Sequence, residues 1–430
     1  MRLSTALPPL LAFGAIAKTH VPAVRLMDGG LAKRQLLEGK ICRYGGRYSD
    51  NRVFNRSRSV GKNEWWALDN DSGDWATIAP KGPKGLLRAD AMASVNVPAQ
   101  GLAFSIGGFV NNWTDSRVKR WNITDGRSFA LKSMLIYNTR KHEVKNVTIS
   151  TLPAQWGGVV EYVPIGKKGV LVLIGGFESE KAIIGTSGNK LKDIKIIHLY
   201  DIHAKKWHTQ IAQGSIPNNR AFACASVASA PDNSSHNIFV HGGTDGGSLS
   251  YSDTYVLSLP SFEWIEADPG RSTQSRMRHD CHMTTRHKML VIGGRGQDQA
   301  IPTRSSRKNG VCDKYAVINV FDTNTMSWQD SWDPNDGSTN FKLSKVITTV
   351  IGGNENGGAT VRKPSIGWGN DAVKKLFEDG TPPDGTRGSK AKPTTTQGAD
   401  GDRGVNHAVR GKVGTVELIS MVVIAAAIVA

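Results

Sequence analysis

The sequence contains no apolar run long enough to cross a bilayer as a helix, which takes about 20 residues. Its longest, LISMVVIAAAIVA at 418–430, has 13. Cysteine is scarce as well: Cys42, Cys224, Cys281 and Cys312 are the whole supply, and none stand in pairs at the spacing of a zinc ribbon. No phosphate-cradling glycine loop, Ser-His-Asp order or paired carboxylates can be argued from spacing. Histidines gather once, in RHDCHMTTRH at 278–287. There His279 and His282 are three apart, so on a strand they point to opposite faces, poor geometry for a shared metal. No metal site or cofactor is therefore expected. Acidic residues are few against basic ones, 37 to 54, which leaves a net charge of +17. That balance favours acidic partners.

Glycine and tryptophan, by contrast, are plentiful, with 47 and 11 copies. They fall in a pattern centred on GVLVLIGG at 169–176. A short apolar run that ends in glycines reads as a strand buried on both faces, without the alternation of a half-exposed one. The phrase recurs as GLAFSIGG (101–108), NIFVHGG (237–243), KMLVIGG (288–294) and VITTVIGG (346–353), with ICRYGG (41–46) a weaker copy. The glycine pairs are Gly107–Gly108, Gly175–Gly176, Gly242–Gly243, Gly293–Gly294 and Gly352–Gly353, and successive copies lie 51 to 68 residues apart. Self-similarity at that period predicts an all-β propeller of four-stranded blades, with each glycine pair ending a second strand.

Behind the glycine pairs runs a second frame. Asp69 precedes Trp75 by six residues, Asp201 precedes Trp207, Ser258 precedes Trp264 and Asp322 precedes Trp328. Asn138 and Val144 keep the frame with valine in place of the indole. A polar residue, a turn and an aromatic make a hairpin. The tryptophans are then expected to be structural, filling the gap between blades, where an indole buries roughly 200 Å².

The glycine pair followed by an aromatic and a tryptophan resembles the kelch repeat. EYVPIGKKGVLVLIGG (161–176), AFACASVASAPDNSSHNIFVHGG (221–243), YVLSLPSFEW (255–264) and IGGNENGGATVRKPSIGW (351–368) resemble the secreted or membrane-anchored kelch-repeat proteins of filamentous fungi, over about residues 40–370. The resemblance implies a kelch-type β-propeller of six or seven blades and carries no biochemical activity. Copper-radical sugar oxidases share a kelch-like propeller and stand as an alternative. Their chemistry needs tyrosine and histidine ligands and a Tyr–Cys crosslink, whereas Tyr44, Tyr137, Tyr200 and Tyr255 occupy repeat positions here. A cytoplasmic kelch scaffold is the third reading.

The flanks give the remaining organisation. Residues 1–17, with one Arg, an apolar stretch and Ala-Ile-Ala, have the layout of a secretory signal. Residues 18–62 carry 11 Lys or Arg against three acidic residues. VRLMDGG (24–30) sits only 16 residues before Gly46, too close for a blade; the phrase is either accidental or part of a first blade with a piece missing, and the second is favoured. Residues 63–370 are the expected propeller. In 371–414, DAVKKLFEDG reads as one or two helical turns and 381–404 as a flexible stalk. Residues 415–430 are the expected membrane anchor, read equally as a lipid-anchor signal or as the front of a longer span.

Six glycosylation sequons, at Asn55, Asn70, Asn112, Asn122, Asn146 and Asn233, fit an exported chain. So does a disulfide, expected between Cys281 and Cys312, which flank the KMLVIGG strand. Ligand contacts are expected on long insertions after the glycine pairs, such as 109–130 and 295–310. The sequence thus points to a non-catalytic surface propeller that binds a protein or an acidic polysaccharide, with a membrane at its C-terminal tail and no nucleic acid partner.

Overall fold

A computed structural model describes residues 35–37, 40–45, 64–69, 72–121, 128–180, 183–184, 190–247, 249–270, 275–284, 287–294, 318–331 and 341–379. Among these residues five antiparallel four-stranded sheets follow one another along the chain. The first blade is Gln35–Leu37, Lys40–Arg43, Trp65–Asp69 and Trp75–Ile78. The second is Ala93–Val97, Leu102–Ile106, Ser133–Asn138 and Glu143–Thr148. The third is Val159–Val163, Val170–Ile174, Ile196–Asp201 and Lys206–Ile211. The fourth, Cys224–Ser229, His236–His241, Thr254–Leu259 and Glu263–Asp268, gains Gln213–Gly214 alongside its outer strand in parallel. The fifth is Asp280–Met283, Lys288–Ile292, Ile318–Asp322 and Ser327–Gln329.

Within each blade the chain steps outward strand by strand. The innermost strands of the second to fifth blades pack against their neighbours, which sets the sheets radially. This is an all-β kelch-type propeller. The central strands of the third blade explain why alternation is missing: all five residues of Val170–Ile174 are buried, because neighbouring blades cover both faces of the sheet.

The glycine pairs end the second strands of blades two to five, and their conformation explains the residue choice. Gly175 and Gly176 have φ of 60° and 90°, the left-handed region that other residues enter at a cost. A Cβ on Gly175 would stand 2.7 Å from the carbonyl oxygen of Arg220, in the segment leading into the next blade. That closeness lets the Gly176 amide donate to the same carbonyl at 2.9 Å. The bond repeats from Gly108 to Gln155 (2.8 Å) and from Gly243 to Arg276 (2.7 Å). The double glycine is thus a backbone staple between consecutive blades.

The tryptophans lie at these same junctions. Trp264, on the fourth blade's outer strand, is 1% exposed and packs with Val163, Ile174 and Leu199 of the third. Trp207 is half-buried and joins the cluster shared by the second and third blades, 5.1 Å from the Tyr200 ring. Trp328 packs beside Phe321, and its Nε1 donates to Asp268 of the fourth blade at 2.8 Å. Val144 is buried with Ala67 and Trp65 of the first blade. Trp75, on the first blade's outer strand, is half-buried and outside every core cluster. The framed Asp and Asn residues cap their hairpins: Asp201 Oδ1 accepts from the amides of His203 and Ala204, and Asp322 Oδ1 from those of Asn324 and Thr325.

Two expectations are corrected. VITTVIGG is not a strand but most of helix α1, Lys345–Ile351. Ile347 and Ile351, four apart, are buried, while Val346 and Val350 are exposed, so the run has a helical period despite its β-branched residues. Ser344 caps α1 by accepting from the Val346 amide. Gly352 and Gly353 keep positive φ but end a helix. With α2 (Asp371–Glu378), α1 forms a strap rather than a blade. α1 packs on the outer strand of the fourth blade and α2 on that of the third, and Phe377 of α2 also meets Phe262 in the fourth blade's outer hairpin.

The disulfide is the second correction. Cys281 pairs with Cys224, with Cα atoms 5.3 Å apart. Both lie on inner strands, of the fifth and fourth blades, which run side by side at the junction. Cys281 therefore finds its partner across blades. Cys312 lies outside the described residues, as do Asn55, Asn70, Asn122, the segment 295–310, residues 1–17 and the tail at 415–430. No helix of the described residues is long and apolar enough to cross a membrane.

Candidate functional site

At one end of the propeller the inner strands begin, and the chain enters each through the same conformation. Ala91, Gly157, Phe222 and Arg278 stand two residues before the second to fifth inner strands, and all have φ between 55° and 66°. Three backbone bonds link them in order: Gly157 N to Ala91 O (2.9 Å), Phe222 N to Gly157 O (2.7 Å) and Arg278 N to Phe222 O (2.9 Å). Two residues of this arc, Phe222 and Arg278, line a pocket.

The walls come from the chain just past each glycine pair. Phe109, Phe177 and Thr244 follow Gly108, Gly176 and Gly243 directly. Two small three-stranded sheets hold the two phenylalanines: Phe109–Val110 with Ser128–Ala130 and Ile183–Ile184, and Ala154–Trp156 with Phe177–Ser179 and Lys190–Leu191, while Thr244 bridges Ala221 and Ser250. The pocket has a volume of about 310 Å³, is open to solvent, and is lined by Phe109, Trp156, Phe177, Ile184, Phe222, Met277 and Arg278, with Ser128, Thr244, Gly246 and Gly247 at its edges.

Its chemistry is aromatic with one cation. The Trp156 and Phe177 rings stack at 5.4 Å, and Phe222 tilts against Phe177 at 6.0 Å. The Arg278 guanidinium lies 4.0 Å over the Phe222 ring, and its Nη1 is 3.9 Å from a carboxylate oxygen of the buried Asp90. Both hydroxyls are tied into the frame: Ser128 Oγ accepts from Asn111, and Thr244 Oγ1 donates to the Leu249 carbonyl. Gly246 lies where a Cβ would be 2.5 Å from the Phe177 ring. Next to Trp156, Gln155 accepts from the buried Lys192 amine at 2.7 Å, and burial pulls that amine down to about 7. Such a site can stack a planar or apolar group and attract an anion. Among the described residues lining it there is no carboxylate pair and no nucleophile–histidine couple.

The insertion at 109–130 contributes Phe109 and Ser128 to this site. Trp156, Phe222 and Arg278 carried no signal as single residues. Their common register would have revealed them: Phe222 and Arg278 are the left-handed residues two before their inner strands, and Trp156 directly precedes the left-handed Gly157. His279 turns into the core and is 5% exposed, whereas His282 faces outward toward Asp280, 3.1 Å away. Of the repeat tyrosines, Tyr137 and Tyr200 are buried within blades, and Tyr255 lies 5.5 Å from the Arg220 guanidinium. Asn146 and Asn233 are exposed, while Asn112 is half-buried, with its side-chain oxygen shut away from solvent.

The family described as KLHDC2/KLHL20/DRC7 Kelch-repeats domain matches residues 163–354. A kelch repeat-containing protein from Arthroderma benhamiae is 29% identical over 374 residues, covering 75% of this chain and 53% of the relative. The chain thus spans about half the length of the curated relative it matches. A solved structure titled "Structure of YjhT" aligns at a TM-score of 0.45 and 13% identity, over 70% of this chain and 82% of that one. With its glycine-stapled blades and inter-blade tryptophans, the chain carries a kelch-repeat match over residues 163–354 and resembles a kelch repeat-containing protein of a fungus.

Proposed function

We propose that this propeller is a non-catalytic binding module that takes a partner protein at the open end of its axis. The partner presents an aromatic or apolar side chain flanked by an acidic group. The apolar part stacks among Trp156, Phe177 and Phe222, and the acid pairs with Arg278. The observation that carries the reading is the pocket itself, with five aromatic or aliphatic walls and one partly buried guanidinium. Buried aromatic anchors with an arginine are the composition of interaction hot spots. The kelch-repeat match supports a protein-binding role. The net charge of +17 supports an acidic partner by steering it in.

The same reading places the propeller outside the cytoplasm, exported by residues 1–17 and held at a membrane by 415–430. The Cys224–Cys281 disulfide supports that, since such bonds persist in oxidising compartments.

A photo-crosslinking residue at Phe109 or Met277 in the full chain, expressed in its host, tests the pocket. One discrete adduct is expected from either position, lost on Arg278→Glu, and none from the exposed outer-strand position Lys145. Adducts of equal yield from Lys145, or adducts indifferent to Arg278→Glu, would refute the site.

A further inference from the structure

Where the fourth and fifth blades meet, three soft ligand groups converge. The sulfurs of Cys224 and Cys281 and a ring nitrogen of His279 all lie within 4.8 Å of one another, and all three residues are buried. They come from two blades, so no local spacing announces them. The disulfide uses the two sulfurs and leaves the imidazole idle.

The imidazole is held like a ligand. His279 Nε2 is 3.2 Å from the backbone carbonyl oxygen of His241, a bond in which the ring must donate. That fixes the proton on Nε2 and leaves the lone pair on Nδ1. Nδ1 is buried and makes no hydrogen bond. Buried polar atoms are nearly always satisfied, so an orphan calls for an occupant. A carbonyl that accepts one ring N–H and so fixes the tautomer is the usual outer support of a metal-binding histidine. The ring is also wedged in place, since a Cβ on Gly242 would come within 2.8 Å of it and one on Gly294 within 2.7 Å of its Cβ.

We propose that Cys224, Cys281 and His279 form a redox-gated metal site, which takes one thiophilic d10 cation of the zinc class when the disulfide is open. An external dithiol or phosphine supplies two electrons. With two protons from water they convert the S–S bond into two thiols, and the reductant is oxidised. The cation then displaces the thiol protons to solvent and is bound by two thiolates and the neutral imidazole, with no change in its own oxidation state. Two thiolates and an imidazole are a donor set that selects zinc-like ions, a fourth non-protein ligand completing the shell. Both forms tie the same two inner strands, one by a covalent bond and the other by a metal.

The test uses the full chain carrying Cys42→Ser and Cys312→Ser, produced under reducing conditions and kept in a phosphine. Titration with Zn²⁺ alone should give one equivalent bound. Replacement by Co²⁺ should give the intense near-ultraviolet band of thiolate-to-cobalt charge transfer. Oxidation to the disulfide should release the metal. Cys224→Ser should abolish stoichiometric uptake, and His279→Gln should weaken it at least tenfold. If a variant fails to fold, the cobalt spectrum of the unsubstituted site still decides. Substoichiometric uptake by the reduced protein, a cobalt spectrum without the thiolate band, or equal uptake after oxidation would each overturn the proposal.

Discussion

Trp264→Ala removes the wedge between the third and fourth blades. The indole is 1% exposed, so nearly its whole surface, roughly 200 Å², leaves water on folding. At about 25 cal/mol per Å² that corresponds to some 5 kcal/mol, and truncation of buried aromatics typically costs 3–5 kcal/mol once the cavity partly collapses. Collapse is restricted here. The neighbours Val163, Leu199, Leu257 and Leu259 belong to strands of two blades whose spacing the glycine staples fix. The expected loss is therefore about 4 kcal/mol. With a guanidinium m-value of about 6 kcal/mol/M, the upper end for a chain of this size, the midpoint falls by about 0.7 M. The indole Nε1 of Trp264 has no hydrogen-bond partner, so Trp264→Phe forfeits only volume. Trp328 differs, because its Nε1 bonds Asp268 across the blade junction, and Trp328→Phe leaves that half-buried acceptor without this bond. Equilibrium denaturation followed by circular dichroism is the assay. An unchanged midpoint for Trp264→Ala would refute the wedge, as would Trp75→Ala proving equally damaging.

The other expectations concern the staple, pH and surface. Gly175→Ala should cost more than Gly73→Ala by at least about 2 kcal/mol in the same assay. Both hold positive φ, but a Cβ at Gly175 meets the Arg220 carbonyl, whereas one at Gly73 meets nothing within 4 Å. His236 is buried against Ser229, and burial lowers it to about 4 from an ordinary 6.5; burial also lowers His198, to about 3. The unfolded chain therefore binds the extra protons first, so stability should fall as pH drops from about 6.5 to about 4. Replacing His236 with Gln should flatten that slope, and an unaltered slope would count against it. Asn233 and Asn146 are exposed and Asn112 is enclosed, so glycosidase treatment of protein from its host should shift the wild type and leave an Asn233→Gln, Asn146→Gln variant with a smaller shift. Deleting 415–430 should free the protein from the membrane fraction.

What the sequence by itself determined is everything that repeats. Short apolar runs ending in paired glycines specify buried strands, because only glycine tolerates both the left-handed turn and the close approach of the next blade's carbonyl. The six-residue step from polar residue to tryptophan specifies the hairpin and its wedge. The period of these phrases specifies the propeller. The same local logic misread 346–353: a β-branched run before two glycines matches the strand phrase letter for letter, and the difference lies in which face finds a core. Ile347 and Ile351 bury only because Phe239, Val256 and Phe321 of the finished blades offer a groove for one helical side.

Contacts between residues far apart in the chain were decided by the tertiary structure alone. Cys224 and Cys281 are 57 residues apart and meet because radial packing sets consecutive inner strands side by side. Phe109, Trp156, Phe177, Phe222 and Arg278 come from four consecutive units and share one pocket because each unit delivers its turn to the same end of the axis. Repetition along the chain is a local property, written in residue types and their spacing. The meeting of different blades around an axis is a property of their packing side by side, and no single repeat contains it.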